Sequence, residues 1–256
     1  MAWKGKIFEL VAAAAIAALP SVTLGVENSC VNCHQDAAFY AQYPKLYEYY
    51  QKWLVSPHEQ AGVTCDQCHG GDTSAGAMEE VHAAVLPMND ERSTLYYTKQ
   101  PDTCGQCHPN QRKQFVQSKH YAALMNHRTA PTCTTCHPAM SRRPELRSIV
   151  LNACSTCHAE GNSDGLPPIV DRAAEIFRKL NIVSGLLGWT REYYRSADWP
   201  EDSKARVGEL EERHERILIG VHQFDLQQTE TETIELLGEL RDSFDAVRRA
   251  NEQQAD

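Results

Sequence analysis

The chain has 256 residues, with 34 acidic and 25 basic side chains and a formal net charge of −9. That length admits one large domain or two small ones, and the acidic balance argues against a nucleic-acid partner, whose phosphates select basic surfaces. An acidic surface remains compatible with docking to a basic partner protein.

The N-terminal stretch MAWKGKIFELVAAAAIAALPSVTLG carries Lys4 and Lys6 ahead of a largely apolar run from Ile7 to Leu19, followed by small residues. This is the layout of a secretory signal peptide, expected over residues 1–25 with cleavage near Gly25. Glu9 interrupts the apolar run. The alternative is an uncleaved anchor, but Glu9 and Pro20 weaken a segment already short for a membrane-spanning helix. Membrane contact is expected only in that uncleaved case.

From residue 26 to 166 the organising feature is one pattern in five copies. All ten cysteines fall within CVNCH (30–34), CDQCH (65–69), CGQCH (104–108), CTTCH (133–137) and CSTCH (154–158). C-x-x-C-H is the attachment signature of c-type haem, in which two thiols bind the porphyrin and the adjacent histidine binds the iron. Paired C-x-x-C knuckles can also hold zinc. Zinc does not require a histidine after the second cysteine in every copy, so haem is the better reading. The expected cofactors are five covalently bound c-type haems, held by Cys30, Cys33, Cys65, Cys68, Cys104, Cys107, Cys133, Cys136, Cys154 and Cys157. His34, His69, His108, His137 and His158 are the proximal iron ligands. Haem is attached to such motifs outside the cytoplasmic membrane, so a periplasmic location follows. Five porphyrins on about 140 residues supply the buried apolar surface themselves. Short helices around each motif, joined by loops, are therefore expected, with little sheet.

Six histidines lie outside the motifs. His120 stands twelve residues after His108, and His82 thirteen after His69. The segments YYQKWLVSPH and QFVQSKH share an aromatic residue followed by Ser-x-His, which suggests a degenerate repeat of motif, helix and distal ligand. His58, His82 and His120 are therefore expected distal ligands, each for the iron of its own or another motif. His222, in ILIGVHQFD, is a fourth. His127 and His214 compete for the fifth, with His127 favoured. Met140 is more naturally a packing residue than a ligand, and the tyrosines between Tyr40 and Tyr50 are expected to pack on haem edges.

Residues 167–256 hold no cysteine and show 3.6-residue periodicity. One helix is expected over Asp171 to Leu187, ending around Gly185 and Gly188. A long one is expected from a cap at Ser203 through Val207, Leu210, His214, Ile217, Val221 and Phe224, the pattern continuing through Ile234, Leu237, Leu240, Phe244 and Val247. This region holds 19 acidic and 12 basic residues, most simply a solvated outer helix face. The whole reads as a mostly α multihaem cytochrome c, with a haem-packed core and a C-terminal bundle of long helices packing on it.

The run SKHYAALMNHRTAPTCTTCH (118–137), followed by CSTCH and a helical tail, resembles the C-terminal half of octahaem hydroxylamine oxidoreductases. WLVSPHEQAGVTCDQCHG (53–70) and GVHQF (220–224) resemble the same superfamily, which includes cytochrome c nitrite reductase. The resemblance spans about residues 30–225 and implies close-packed haem pairs, with His58, His82, His120 and His222 as axial ligands. It does not decide between His127 and His214. Nitrite reductases of the superfamily carry a lysine in one motif, and no C-x-x-C-K occurs here. Oxidative members cross-link a tyrosine after the late histidine, where this chain has QFDLQQTETET.

Two functions follow. A chain whose irons are all capped by histidine is an electron carrier between a quinol-side donor, such as a quinol dehydrogenase, and a terminal reductase, another cytochrome or an external acceptor. A chain with one five-coordinate haem is an oxidoreductase acting on nitrite, hydroxylamine or a sulfur oxyanion. The least secured distal face is that of CTTCH, which would leave His127 or His214 as acid or base. Association into an oligomer is compatible with either.

Overall fold

The computed structural model describes residues 28–126, 129–138, 146–161, 165–196 and 201–254. The expected signal segment, His127 and Met140 lie outside the described residues. The fold is mostly α, and no strand occurs among the described residues.

Short helices carry the cysteine–histidine motifs. Ser29–His34, Asp66–His69, Cys133–Cys136 and Ser155–His158 each contain most or all of one motif, and CGQCH straddles the end of Gln100–Gly105. The first is started by Asn28, whose side chain accepts hydrogen bonds from the backbone N–H groups of Cys30 and Val31. The last follows a π-helical turn, Val150–Cys154, which continues from Leu146–Ile149. Such turns displace the side chains after them relative to a regular helix.

Three long helices form the C-terminal part: Val170–Ser196, Glu201–Gly220 and Leu226–Gln254. Each packs against the other two. The first does not stop at Gly185 or Gly188 as the sequence suggested but runs through both. Val183 and Leu187 beside them are buried, and that packing outweighs the roughly 1 kcal/mol propensity deficit of each glycine. The expected continuous helix beyond residue 203 is instead two. Glu201–Gly220 tightens into a 3₁₀ turn at Val221–Gln223, and Phe224 then takes a left-handed conformation with φ 60°. Asp225 starts the last helix, its Oδ1 accepting from the Gln228 N–H at 3.0 Å.

The aliphatic core lies in this part. Val150, Ala173, Ile176, Phe177, Leu180, Val183, Leu187, Leu210, Ile217, Leu236 and Leu240 form one buried cluster, with Cys154 packed against it. Among the described residues before Val150, the buried larger apolar side chains are Val81, Phe115 and Leu124. The buried aliphatic side chains are thus concentrated in the C-terminal part among the described residues. Ion pairs link the helices across the charged surface of the bundle. Arg172 pairs with Glu230 at 2.9 Å, Arg206 with Glu239 at 2.8 Å and Arg213 with Glu235 at 2.7 Å, all between helices.

Candidate haem-ligand site

The two Ser-x-His phrases fold alike. Ser56 caps the short helix Pro57–Gln60 and accepts from the Glu59 N–H at 3.3 Å. Ser118 caps Lys119–Met125 and accepts from the Tyr121 N–H at 3.0 Å. Both serines are buried, and both backbone N–H groups return to the preceding aromatic residue, Ser56 to the Trp53 carbonyl and Ser118 to that of Phe115. In each case the histidine falls at the second helical position, so a local cap fixes where His58 and His120 emerge.

Those two histidines, with His82 and His222, each stand across from a motif histidine. Ring centres are 6.4 Å apart for His34 and His82, 6.3 Å for His108 and His58, 6.0 Å for His158 and His120, and 6.1 Å for His137 and His222. Two imidazoles on opposite faces of one metal, each bonded at about 2.0 Å, have their centres about 6.3 Å apart. The four spacings match that value. The Ser-x-His histidines reach two motifs ahead, from the segment after CVNCH to CGQCH and from the segment after CGQCH to CSTCH. His82 reaches back to the first motif. A tight turn places it there: Gly71 has φ 97°, and a Cβ on it would meet the Val81 carbonyl oxygen at 2.5 Å.

The hydrogen bonds suit this use. His82 Nδ1 lies 2.9 Å from the Met78 carbonyl, His158 Nδ1 2.9 Å from that of Pro167, and His222 Nδ1 3.1 Å from those of Leu218 and Ile219. A backbone acceptor at Nδ1 fixes the tautomer in which Nε2 keeps its lone pair for a metal. Burial holds the imidazoles of His34, His69, His120, His137 and His222 below the ordinary histidine pKa, in the neutral form a metal requires. The Nδ1 atom of His120 is buried with no hydrogen-bond partner among the described residues.

His69 differs. Among the described residues no imidazole faces it at this spacing, and His127 lies outside them. His214 is held in the bundle, its Nε2 3.0 Å from Ser184 Oγ. The structure sets His222 across from His137, so the distal face at CTTCH, which the sequence left least secured, has an imidazole before it.

The motifs are neighbours in chain order. Cys30 lies near Cys65, Cys68 near Cys104 and Cys107, Cys104 near Cys133, and Cys136 near Cys154. Polar ties reinforce the sequence of contacts. The Ser29 N–H donates to the Thr73 carbonyl at 3.0 Å, Thr94 Oγ1 to the Cys68 carbonyl at 2.6 Å, and Thr134 Oγ1 to Gln100 Oε1 at 2.8 Å. Burial pushes the Cys65 and Cys136 thiols up to about 11. No three His, Cys, Asp or Glu side chains converge as a metal-ion cage among the described residues.

Sequence reasoning located the cysteines and histidines but missed Phe39 and Phe224. Phe39 packs on His34 at 4.6 Å, and Phe224 stands edge-on to His120 at 4.4 Å. The aromatic residue next to a Ser-x-His phrase was a usable signal for Trp53 and Phe115; nothing local marks Phe224. Tyr40, Tyr43 and Tyr49 are about half exposed. Phe39, Tyr43, Tyr40 and Tyr47 make aromatic contacts among themselves.

Comparison with known proteins agrees with this chemistry. Residues 9–70 match the family model described as cytochrome c554 and c-prime. The chain is 27% identical over 167 residues to the C-type polyheme cytochrome OmcB of Geobacter sulfurreducens, an alignment covering 53% of this chain and 20% of that one. It is 22% identical over 150 residues to the multiheme cytochrome MtrA of Shewanella baltica, covering 55% of this chain and 37% of that one. The chain therefore spans well under half the length of these relatives. No solved structure matches. Motifs and likenesses together support a multihaem c-type cytochrome with covalently bound haem.

Proposed function

We propose that this protein is a periplasmic pentahaem electron carrier in which histidines exchanged between motifs cap the irons. The observation that carries this reading is the set of four facing histidine pairs at the spacing of two imidazoles on one metal. Bound haem supplies one-electron Fe(III)/Fe(II) chemistry. The chain's own residues set its conditions: two imidazoles per iron favour a low-spin metal that changes little on reduction, and burial tunes the potential. Contacts between successive motifs support a conduction path in chain order from CVNCH to CSTCH, with partners engaged near its two ends. Quinol-side donors, a terminal reductase and other cytochromes fit as partners. The resemblance to the hydroxylamine oxidoreductase and nitrite reductase superfamily belongs to the same proposal, as an inherited scaffold without the lysine motif.

A second reading is favoured by one observation, the lack of a facing imidazole at His69 among the described residues. An open distal face there, at CDQCH, would make the protein a small oxidoreductase for nitrite, hydroxylamine or a sulfur oxyanion. This moves the candidate site away from CTTCH.

Low-temperature EPR of the oxidised holoprotein, titrated with cyanide, separates the two. Low-spin signals indifferent to cyanide are expected for the carrier. The pair His137–His222, with ring planes 13° apart, should give a rhombic signal. His108–His58 and His158–His120, at 67° and 69°, should each give one large g value, because crossed ligand planes leave the iron d orbitals nearly degenerate. A high-spin signal abolished by cyanide would replace the carrier with the enzyme.

A further inference from the structure

Phe224 sits in a conformation that its side chain does not favour. A bulky residue with positive φ is a genuine outlier, and such outliers persist where the surroundings impose them. Glycine or asparagine would end the preceding helix with less strain, so termination alone does not account for a phenylalanine. The left-handed backbone at φ 60° sets where the ring lies. It lands between Phe115, 6.2 Å away at 69°, and His120, 4.4 Å away at 85°. Phe224 follows His222 by two residues, so one short turn serves the imidazoles at both CTTCH and CSTCH.

His120 is also the histidine that lacks the usual orientation device. His82 and His222 are held through Nδ1 by backbone carbonyls, whereas His120 Nδ1 is buried without a partner among the described residues. Because that nitrogen is buried, it faces the protein interior.

We infer that Phe224 is the positioning residue of the His120 imidazole: its ring fixes the plane of that imidazole by edge-on packing and keeps water from Nδ1. The inference rests on the reading of His120 as an axial ligand across from His158. It has an electronic consequence. An imidazole whose Nδ1–H is hydrogen-bonded is a more basic ligand and favours the ferric iron. Withholding that bond keeps the potential of the CSTCH haem higher than the same pair of histidines would otherwise give.

The test is a potentiometric titration of the holoprotein followed by EPR, on F224A, F224G and F224Y. In F224A water reaches Nδ1, so the potential of the CSTCH haem should fall and its large g value should move, with the other signals unchanged. F224G should show the same selective shift although glycine relieves the backbone. F224Y, which retains the ring, should keep the wild-type signal. The inference is overturned if F224G, folded and fully loaded with haem, keeps the wild-type potential and signal. It is equally overturned if every haem shifts together, since Phe224 would then serve the fold alone. Failure of the underlying reading is distinguishable: H120A would then leave the large-g signal of the CSTCH haem in place.

Discussion

Ser56 and Ser118 decide where two of the candidate ligands stand. Each serine closes the first turn of a short helix, and a histidine two residues later inherits its position from that cap. The hydroxyls are buried, so alanine would leave helix N–H groups without a partner. Ser118→Ala is expected to cost about 1 kcal/mol of stability. It should also loosen the His120 imidazole, read as a lower melting temperature with partial loss of the low-spin signal of one haem. Destabilisation with all spectra unchanged would mean that the cap supports the helix and does not position the histidine.

At the scale of elements, the break at residues 221–224 shapes the C-terminal part. A continuous apolar stripe through Val221 and Phe224 promised one helix, but the 3₁₀ turn and the left-handed Phe224 fold it into two. That reversal lets Leu210 and Ile217 meet Leu236 and Leu240 in the same core as Leu180 and Val183. Leu236 is fully buried, and Leu236→Ala should cost about 2–5 kcal/mol through lost burial and the cavity left behind. Denaturant unfolding followed by far-ultraviolet circular dichroism measures it. A loss below about 1 kcal/mol would place Leu236 outside the cooperative core. The interhelical ion pairs are exposed and should contribute about 0–1 kcal/mol each.

For the whole molecule, two kinds of stabilisation are joined in one chain. The bundle carries an aliphatic core, whereas the described residues before Val150 include few large buried apolar side chains. Attached haem should therefore hold the first region and matter little to the second. A variant with all motif cysteines replaced by alanine is expected to be cleaved rapidly by protease within residues 28–138, while 170–254 persists as a protected helical fragment. Equal cleavage throughout would show that the bundle also depends on haem. Val150 and Cys154 tie the last motif to the bundle core, so protection is expected to extend back toward residue 150.

The sequence by itself determined the chemistry of this protein. The Cys-x-x-Cys-His motifs made covalently bound haem legible, because attachment chemistry depends on neighbours within five residues. Periodicity likewise revealed the helical C-terminal region, because the positions that face a core repeat along a helix. Which histidine faces which motif was not legible, since His58 and His108 are brought together from fifty positions apart and spacing along the chain carries no record of that approach. Neither was the break at Phe224, where local propensity gives way to the packing of one helix pair and to a ring seated against His120. Those assignments belong to the tertiary structure, because they are set by which surfaces meet and not by the order of the residues.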